Sequence, residues 1–366
     1  MNQYYELLKN ALPHLQESEL SLPVREAGVD SIDLVLVRVT LEKSIGKGIP
    51  NSEWNNFKTI QEVIDFCGKN ESANTNIFIN TKSISAIRKH EINMPQMANS
   101  TLSENWLFKE LGDIHWELLS KGLNANSANI KDEFGNRLYA TFTRIRYASA
   151  SLNNFKENDS LIFQGELKRF GLSTYISEIV FYNEKQKAKA ILMTSFSTRD
   201  SIDNSKLFKS QPIVSTNVSE FVVTPEILND YRLLRKGLLE SFEMNGEDFD
   251  LSSTPVAEMK YNINPFYEIN GVGLLYFASY PIISDKCESD YFNSTNKNVR
   301  WESEFFTLER DVFYFANCNT DDSILYRLNS FEFITGNRVK LFSSLYRVSD
   351  MTLMAHIFTI KEKNNF

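Results

Sequence analysis

Cysteine and histidine are both scarce in this chain. The 366 residues include three cysteines, Cys67, Cys287 and Cys318, which are far apart and form no C-x-x-C pair. That spacing argues against a disulfide framework and against a zinc site. The four histidines are scattered and have no metal-ligand spacing either. We therefore predict that the protein holds no metal and that the cysteines are small core residues.

Long apolar runs and basic blocks are also missing. No stretch approaches the roughly 20 apolar residues that a membrane helix needs. The start of the chain, MNQYYELLKN, lacks the basic and apolar regions of a secretion signal. We expect a cytoplasmic protein with no membrane partner. No block of lysine and arginine is present and the net charge is −8, which argues against a nucleic-acid partner.

The chain is instead rich in material for packed cores, with 42% hydrophobic and 13% aromatic residues. Its length exceeds the roughly 250–300 residues at which a single core stops growing. Polar stretches, one at about residues 68–80 and one beginning at Arg199, indicate where it divides. We predict four segments, which are residues 1–70, a linker at 71–80, and two halves at 81–205 and 206–366.

The spacing of apolar residues changes near Asn70. Up to that point it follows a helical period, with Asp30 as a candidate N-cap that places Ser31 in the first turn of a helix. From about Asn80, strands rich in Phe, Tyr, Ile and Val alternate with Gly and Asn, which predicts antiparallel sheet. One helix interrupts these strands, and Thr101 to Glu104 has the pattern of its capping box. The second part is therefore predicted to be α+β.

The N-terminal segment, 1–70, resembles the acyl carrier protein family. The similarity lies in GVDSIDLV from Gly28, in Ile49-Pro50, and in KTIQEVIDF from Lys58, with Ile32 in place of the usual leucine. The resemblance implies 4′-phosphopantetheine attached covalently to Ser31 by a phosphopantetheinyl transferase. A phosphodiester there would lie at a helix N-terminus, where exposed amides favour an anion. Without the resemblance, Ser31 would be read simply as a capping residue.

The rest of the chain resembles a second family. The matching segments are NMPQM from Asn93, LSENWLFKELGDIHW from Leu102, NGVGLLYFASYP from Asn270, RDVFYFAN from Arg310 and SLYRVSD from Ser344. They are similar to the family of the leinamycin-pathway bifunctional acyltransferase/decarboxylase. That resemblance covers roughly residues 80–363 and implies a double hot-dog. The expected fold class is thus an all-α three- or four-helix acyl carrier bundle followed by an α+β double hot-dog, with antiparallel sheets wrapped on central helices.

The second resemblance also implies an activity. It is the transfer of a malonyl or methylmalonyl group from coenzyme A to an acyl carrier thioester, with decarboxylation, alongside other polyketide synthase subunits. The enzymatic alternatives are acyl transfer without decarboxylation, or a hot-dog dehydratase or thioesterase. Dehydratases of this fold use a histidine with an acidic residue, and no such motif is evident. The non-enzymatic alternative is a carrier joined to a catalytically silent docking scaffold.

A covalent acyl intermediate needs a nucleophile. No thiol is well placed and no G-x-S-x-G serine motif occurs. The resemblance implies a tyrosine, and the matching position is Tyr139, with Tyr147 as the second choice. A phenol with a pKa of about 10 needs a neighbouring cation to react as phenolate. Arg137 would share a strand face with Tyr139 and is the nearer candidate.

Loss of CO2 leaves an enolate, which hydrogen-bond donors at the thioester oxygen would stabilise. Hot-dog enzymes place that oxygen at the N-terminus of the buried helix, where this chain has Ser103 and Asn105. Asn270 and Gly271 open the corresponding segment of the second half and are the predicted second helix tip. His115 is a further candidate, as a general acid or base, with a buried structural histidine as the alternative reading.

Overall fold

A computed structural model describes residues 3–30, 33–70, 83–148, 150–200, 203, 205–213, 218–295, 300–334 and 337–363. Its helices are α1 (Gln3–Ala11), α2 (Asp33–Ile45), α3 (Asn51–Trp54), α4 (Ile60–Lys69), α5 (Glu104–Leu123), α6 (Glu226–Arg235), α7 (Pro265–Glu268), α8 (Ser279–Thr295) and α9 (Trp301–Glu304). Its strands are β1 (Ile84–Glu91), β2 (Met97–Ala98), β3 (Thr101–Leu102), β4 (Tyr139–Ala148), β5 (Ser160–Phe170), β6 (Thr174–Tyr182), β7 (Lys187–Arg199), β8 (Leu207–Lys209), β9 (Ser241–Met244), β10 (Glu247–Asp250), β11 (Ala257–Asn262), β12 (Phe305–Tyr314), β13 (Ser323–Phe333), β14 (Arg338–Arg347) and β15 (Leu353–Lys363).

One continuous antiparallel sheet of eleven strands dominates the fold. Its order is β1-β5-β6-β7-β4-β12-β15-β14-β13-β11, with β8 paired to β7. The order β1-β5-β6-β7-β4 in the first half corresponds, strand for strand, to β11-β13-β14-β15-β12 in the second. The halves join where β4 pairs with β12, with Ile145 opposite Val312. The chain therefore repeats one structural unit, with a helix after the first strand of each copy.

The helices α5 and α8 lie against one face of this sheet. Leu111 and Leu118 of α5 and Ile283 of α8 are buried in the same hydrophobic cluster as the inward-facing strand residues. The helix α5 approaches β5 closely at Gly165, where an added Cβ would lie 3.1 Å from the Leu118 side chain. Strands with alternate apolar residues need such a cover on one face. Each long helix supplies it for its own half.

The other face of the sheet is covered by the N-terminal helices and by α6. Val37 of α2, Met193 of β7 and Leu228 of α6 belong to one buried cluster. Gly171, at the turn between β5 and β6, has a φ of 67° and an added Cβ would lie 2.3 Å from the Val39 side chain. The N-terminal helices therefore share a core with the sheet.

The predicted fold class is wrong. It placed a separate all-α carrier bundle in front of two hot-dog sheets, whereas the described N-terminal helices form no self-contained bundle and one continuous sheet makes up most of the structure. The physical reason is that α2 buries its apolar face partly on strands that come much later in the chain. Helical periodicity shows that a face is apolar and does not show what covers it. The predicted linker, at 71–80, lies outside the described residues.

Two smaller expectations can be compared with the structure. All three cysteines are buried and none is in a disulfide. None of the helices in the described ranges is both long and apolar enough to cross a bilayer.

Candidate active site

A cavity of about 1110 Å³ lies between the two halves. Its walls come from β4 and β7 in the first half, from residues 270–280 and 314–317 in the second, and from Gly112, Asp113 and Trp116 of α5. Ligand sites are commonly clefts of roughly 300–1000 Å³. The cavity is therefore large enough for an extended ligand.

The wall and the rim of this cavity differ in character. Most of the buried lining side chains are aromatic, aliphatic or hydroxyl-bearing, such as Phe142, Ser195, Leu275 and Tyr314, and Asp132 is the one buried carboxylate among the described lining residues. The exposed lining residues include four cations, Arg25, Arg137, Lys209 and Arg235. A chain with 47 acidic and 39 basic residues thus gathers cations around the opening of a largely apolar interior. That pattern suits a ligand with an anionic end and an apolar end.

Tyr139, the predicted nucleophile, lies at the start of β4 and lines the cavity. The Arg137 guanidinium lies 5.0 Å from the centroid of its ring, and the Arg199 guanidinium lies 5.8 Å from it. Among the described residues, none is hydrogen-bonded to the Tyr139 hydroxyl. By contrast, the Tyr314 hydroxyl donates to the Phe277 carbonyl at 3.1 Å. The Tyr139 hydroxyl is therefore available to a ligand.

The two arginines beside Tyr139 share a further property. Neither Arg137 nor Arg199 forms an ion pair with a carboxylate of the described residues. Arg199 donates instead to the Val272 carbonyl, which ties β7 to the second half. Both positive charges therefore remain uncompensated next to a phenol, and this arrangement favours an anion at that point of the cavity.

Tyr147, the second choice, lies elsewhere. Its ring is buried in the core and its hydroxyl donates to a Glu104 carboxylate oxygen at 2.9 Å. Burial, reinforced by the Glu104 charge, raises the pKa of Tyr147 well above its ordinary value. Tyr147 is not among the lining residues of the cavity. Of the two candidate tyrosines, Tyr139 lines the cavity and Tyr147 does not.

The predicted donors at the start of α5 serve structural contacts. The Ser103 hydroxyl accepts from the Trp106 amide at 3.3 Å and caps the helix. The helix cap is thus Ser103, and the predicted capping box at Thr101 is wrong because Thr101 lies in β3. The Asn105 side chain donates to the Ala278 carbonyl at 3.3 Å, just before α8. Neither Ser103 nor Asn105 lines the cavity.

Asn270 and Gly271 do line the cavity, in a tight turn before α8. The Asn270 side-chain oxygen accepts from the amides of Val272 and Leu274, each at 3.0 Å. Since α8 begins only at Ser279, the two residues are not at a helix tip as predicted. An asparagine that satisfies its own turn in this way fixes the shape of the wall.

His115 is enclosed between α5 and the sheet. Its ring nitrogens lie 2.7 Å from the Ser177 hydroxyl and 2.8 Å from the Thr194 hydroxyl, and the residue has no exposed surface. Burial lowers the pKa of His115 to about 3. No described histidine or cysteine lines the cavity. His115 is therefore placed as a neutral, hydrogen-bonded core residue.

Several lining residues were not predicted from the sequence. Asp113 lines the cavity from α5, with a side chain that is 68% exposed, and accepts from Arg88 at 2.6 Å. Lys209 lies on the short strand β8 and Arg235 ends α6. They are far apart in the sequence and share no motif.

Ser31 lies outside the described residues. Its neighbours show how this part of the chain is held: the Asp30 side chain accepts from the Asp33 amide at 2.9 Å, and Asp33 is paired with Arg232 at 2.8 Å and with Lys236. Asp33 has no exposed surface. Asp33, the first residue of α2, is thus anchored at the end of α6, which also contributes Tyr231 and Arg235 to the cavity.

Comparison with known proteins supports the architecture. The structure is similar to a protein assigned as an oleoyl thioesterase from Lactobacillus plantarum, with a TM-score of 0.56 and 9% identity over 79% of this chain and 100% of that one. The 12:0-ACP thioesterase from Umbellularia californica gives a TM-score of 0.51 at 9% identity, over 77% and 95% of the chains. An acyl-ACP thioesterase from Bacteroides thetaiotaomicron gives 0.50 at 11% identity, over 76% and 98%. The protein has a hot-dog fold.

The hot-dog part of the predicted fold is thus confirmed, and α5 and α8 are its two central helices. Identities of 9–11% show the fold alone. No family model matches the chain. In sequence it is 31% identical over 126 residues to the regulatory protein SIR4 of Saccharomyces cerevisiae. That match covers 32% of this chain and 8% of that protein, so the chain spans a small part of its curated relative.

Proposed function

We propose that the protein is an enzyme that hydrolyses an acyl thioester, such as an acyl-coenzyme A, in the cavity between its hot-dog halves. The observation that carries the proposal is the cavity itself, with a largely apolar and hydroxyl-bearing wall containing Tyr139 and a rim of cations. The apolar acyl group suits the wall, and the phosphates of coenzyme A suit the rim. The comparison structures named as thioesterases support the proposal through their shared fold.

Hydrolysis needs a base for water and donors for the thioester oxygen. Asp113 is the base we assign, because it lines the cavity and one of its carboxylate oxygens has no hydrogen-bond partner among the described residues. The other lining carboxylate, Asp132, is buried and accepts from two backbone amides of its own loop. In the step, the water oxygen bonds to the carbonyl carbon, the C–S bond breaks, and the proton taken by Asp113 passes to the leaving thiolate. The Tyr139 hydroxyl donates to the carbonyl oxygen.

A second candidate is favoured by one observation, the two arginines without carboxylate partners beside Tyr139. They would stabilise a phenolate, or bind the carboxylate of a malonyl or methylmalonyl thioester. Tyr139 would then take the acyl group from coenzyme A and pass it to a carrier thiol, with loss of CO2. The phosphopantetheine on Ser31, its transferase and the polyketide synthase partners belong to this second candidate and stay predictions.

One incubation separates the two candidates. The protein is mixed with hexanoyl-, malonyl- or methylmalonyl-CoA, free thiol is measured over time, and the intact mass of the protein is recorded. Continuous thiol release that Asp113→Asn lowers at least tenfold supports hydrolysis. A stable mass increase on the protein that is absent in Tyr139→Phe supports transfer through Tyr139. The size of the mass increase shows whether the transferred acyl group has lost its carboxyl group.

The incubation can also reject both candidates. No thiol release and no adduct with any of the three thioesters would contradict an enzyme acting on coenzyme A esters and would favour the silent scaffold. Glu178→Gln is the matched control for Asp113→Asn. It removes one exposed carboxylate that pairs with Lys189 and does not line the cavity, so it should leave the rate unchanged.

A further inference from the structure

Three cations on different parts of the chain share the exposed lining of the cavity. They are Arg25 from the N-terminal segment, Lys209 on β8 and Arg235 at the end of α6. Arg25 and Lys209 are far apart in the sequence, so only the fold brings them to one opening. Cations gathered at the entrance of an apolar cavity attract and orient an anionic ligand.

Arg235 differs from the other cations at the end of α6 in having no carboxylate partner among the described residues. The other two, Arg232 and Lys236, are both held by the buried carboxylate of Asp33. The Arg235 guanidinium is 3.5 Å from the Tyr231 hydroxyl. Arg25 likewise pairs with no carboxylate of the described ranges. The chain thus uses two cations of one helix end to anchor the N-terminal segment and leaves the third at the cavity.

Lys209 and Arg235 are close enough to influence each other. Burial by surrounding protein atoms and then the Arg235 charge lower the pKa of Lys209 to about 7, while Asp30 raises it. The side chain is accessible to water from the open cavity. The Lys209 and Arg235 side chains would both attract an anion at this point of the rim.

We propose that Arg25, Lys209 and Arg235 bind the phosphate of a 4′-phosphopantetheine thioester whose acyl end enters the cavity toward Tyr139. This inference rests on the proposed function, since it names the part of the substrate that the rim recognises. The phosphate is common to coenzyme A and to a protein-bound arm. Two arginines suit it because a guanidinium can donate two parallel hydrogen bonds to phosphate oxygens. The site would join the N-terminal helices to the hot-dog halves.

Three non-hydrolysable ligands test the proposal, by calorimetric titration of the full chain. They are S-hexyl-pantetheine, S-hexyl-4′-phosphopantetheine and S-hexyl-CoA. We expect the 4′-phosphate to tighten binding at least tenfold at low salt, and the gain to shrink as salt is added. In Arg235→Gln and in Arg25→Gln the gain should fall below about threefold. Arg338→Gln, an exposed arginine that does not line the cavity, should retain it.

The outcomes distinguish failure of the phosphate site from failure of the proposed function. Equal affinity with and without the 4′-phosphate, or a gain that survives in both rim variants, would overturn the phosphate site while leaving a thioester cavity intact. Failure of all three ligands to bind the wild-type chain would overturn the site and the proposed function together. If the phosphate gain is present, S-hexyl-CoA identifies the source. If S-hexyl-CoA binds no more tightly than S-hexyl-4′-phosphopantetheine, the rim binds only the 4′-phosphate of the arm. If it binds more tightly, the rim also binds the nucleotide phosphates of coenzyme A.

Discussion

Replacing Arg310 with methionine should lower the free energy of unfolding by about 3–5 kcal/mol, because it removes a fully buried cation from the Glu104 carboxylate, whose side chain is only 13% exposed. The Arg310 side chain has no exposed surface and donates to both oxygens of Glu104, at 2.8 and 2.7 Å. It also contacts Asp285 at 2.9 Å. Glu104 begins α5, Asp285 lies in α8 and Arg310 lies on β12. One guanidinium therefore fastens both central helices to the middle of the sheet.

Urea denaturation of the wild type and Arg310→Met measures this effect. The matched control is Arg327→Met, which removes an arginine whose side chain is 28% exposed and pairs with Glu258 at 2.6 Å. Exposed pairs of that kind contribute about 1 kcal/mol or less. A loss at Arg310 no larger than the loss at Arg327 would show that the buried network does not hold the helices in place.

The protein should lose stability in acid through His115. Its pKa is lowered to about 3 by burial in the folded state, against about 6.5 in an unfolded chain. Between those values the unfolded state binds a proton that the folded state does not, so stability falls as pH is lowered. From pH 7 to pH 5 the loss due to His115 is roughly 2 kcal/mol, since each pKa unit corresponds to about 1.4 kcal/mol.

The measurement is the difference between the free energies of unfolding at pH 7 and pH 5, in the wild type and in His115→Gln. We expect that difference to be smaller in the variant by the whole contribution of His115. Between pH 7 and pH 8 the imidazole is mostly neutral in both states, so the two proteins should change nearly in parallel there. An equal acid loss in both proteins would mean that His115 is able to take up a proton in the folded state.

Much of the fold was predictable because strand residues alternate between two environments. The alternation in β4 to β7 and in β12 to β15 predicts antiparallel sheet, and the apolar stripe from Trp106 to Leu119 predicts the buried helix α5. The same alternation occurs in both halves, whereas the order of the strands in the sheet comes from the structure. Arg137 precedes β4, which begins at Tyr139, and does not share a strand with it, although its guanidinium lies 5.0 Å from the centroid of the Tyr139 ring.

The rest depends on contacts between distant parts of the chain. Whether α2 packs within a bundle or on the sheet depends on Gly171 and Met193, which no local pattern connects to it. Arg199 reaches the ring of Tyr139 only because β4 pairs with β7, with Tyr139 opposite Ser197. Thr101 has a capping pattern in the sequence, but it is paired in β3 and the N-cap of α5 is Ser103. Sequence patterns of this kind indicate elements and leave the assignment of partners to tertiary packing.

Titration of the protein with S-hexyl-CoA, compared with the same titration of Gly271→Phe, tests most directly whether the cavity binds the thioester. Gly271 lines the cavity, and an added Cβ there meets no atom within 4 Å, so a phenyl group should enter the space without disturbing the fold. The account predicts saturable binding of one ligand per wild-type chain and at least tenfold weaker binding to a folded Gly271→Phe chain. Absence of binding to the wild type, or equal affinity in the two proteins, would contradict it.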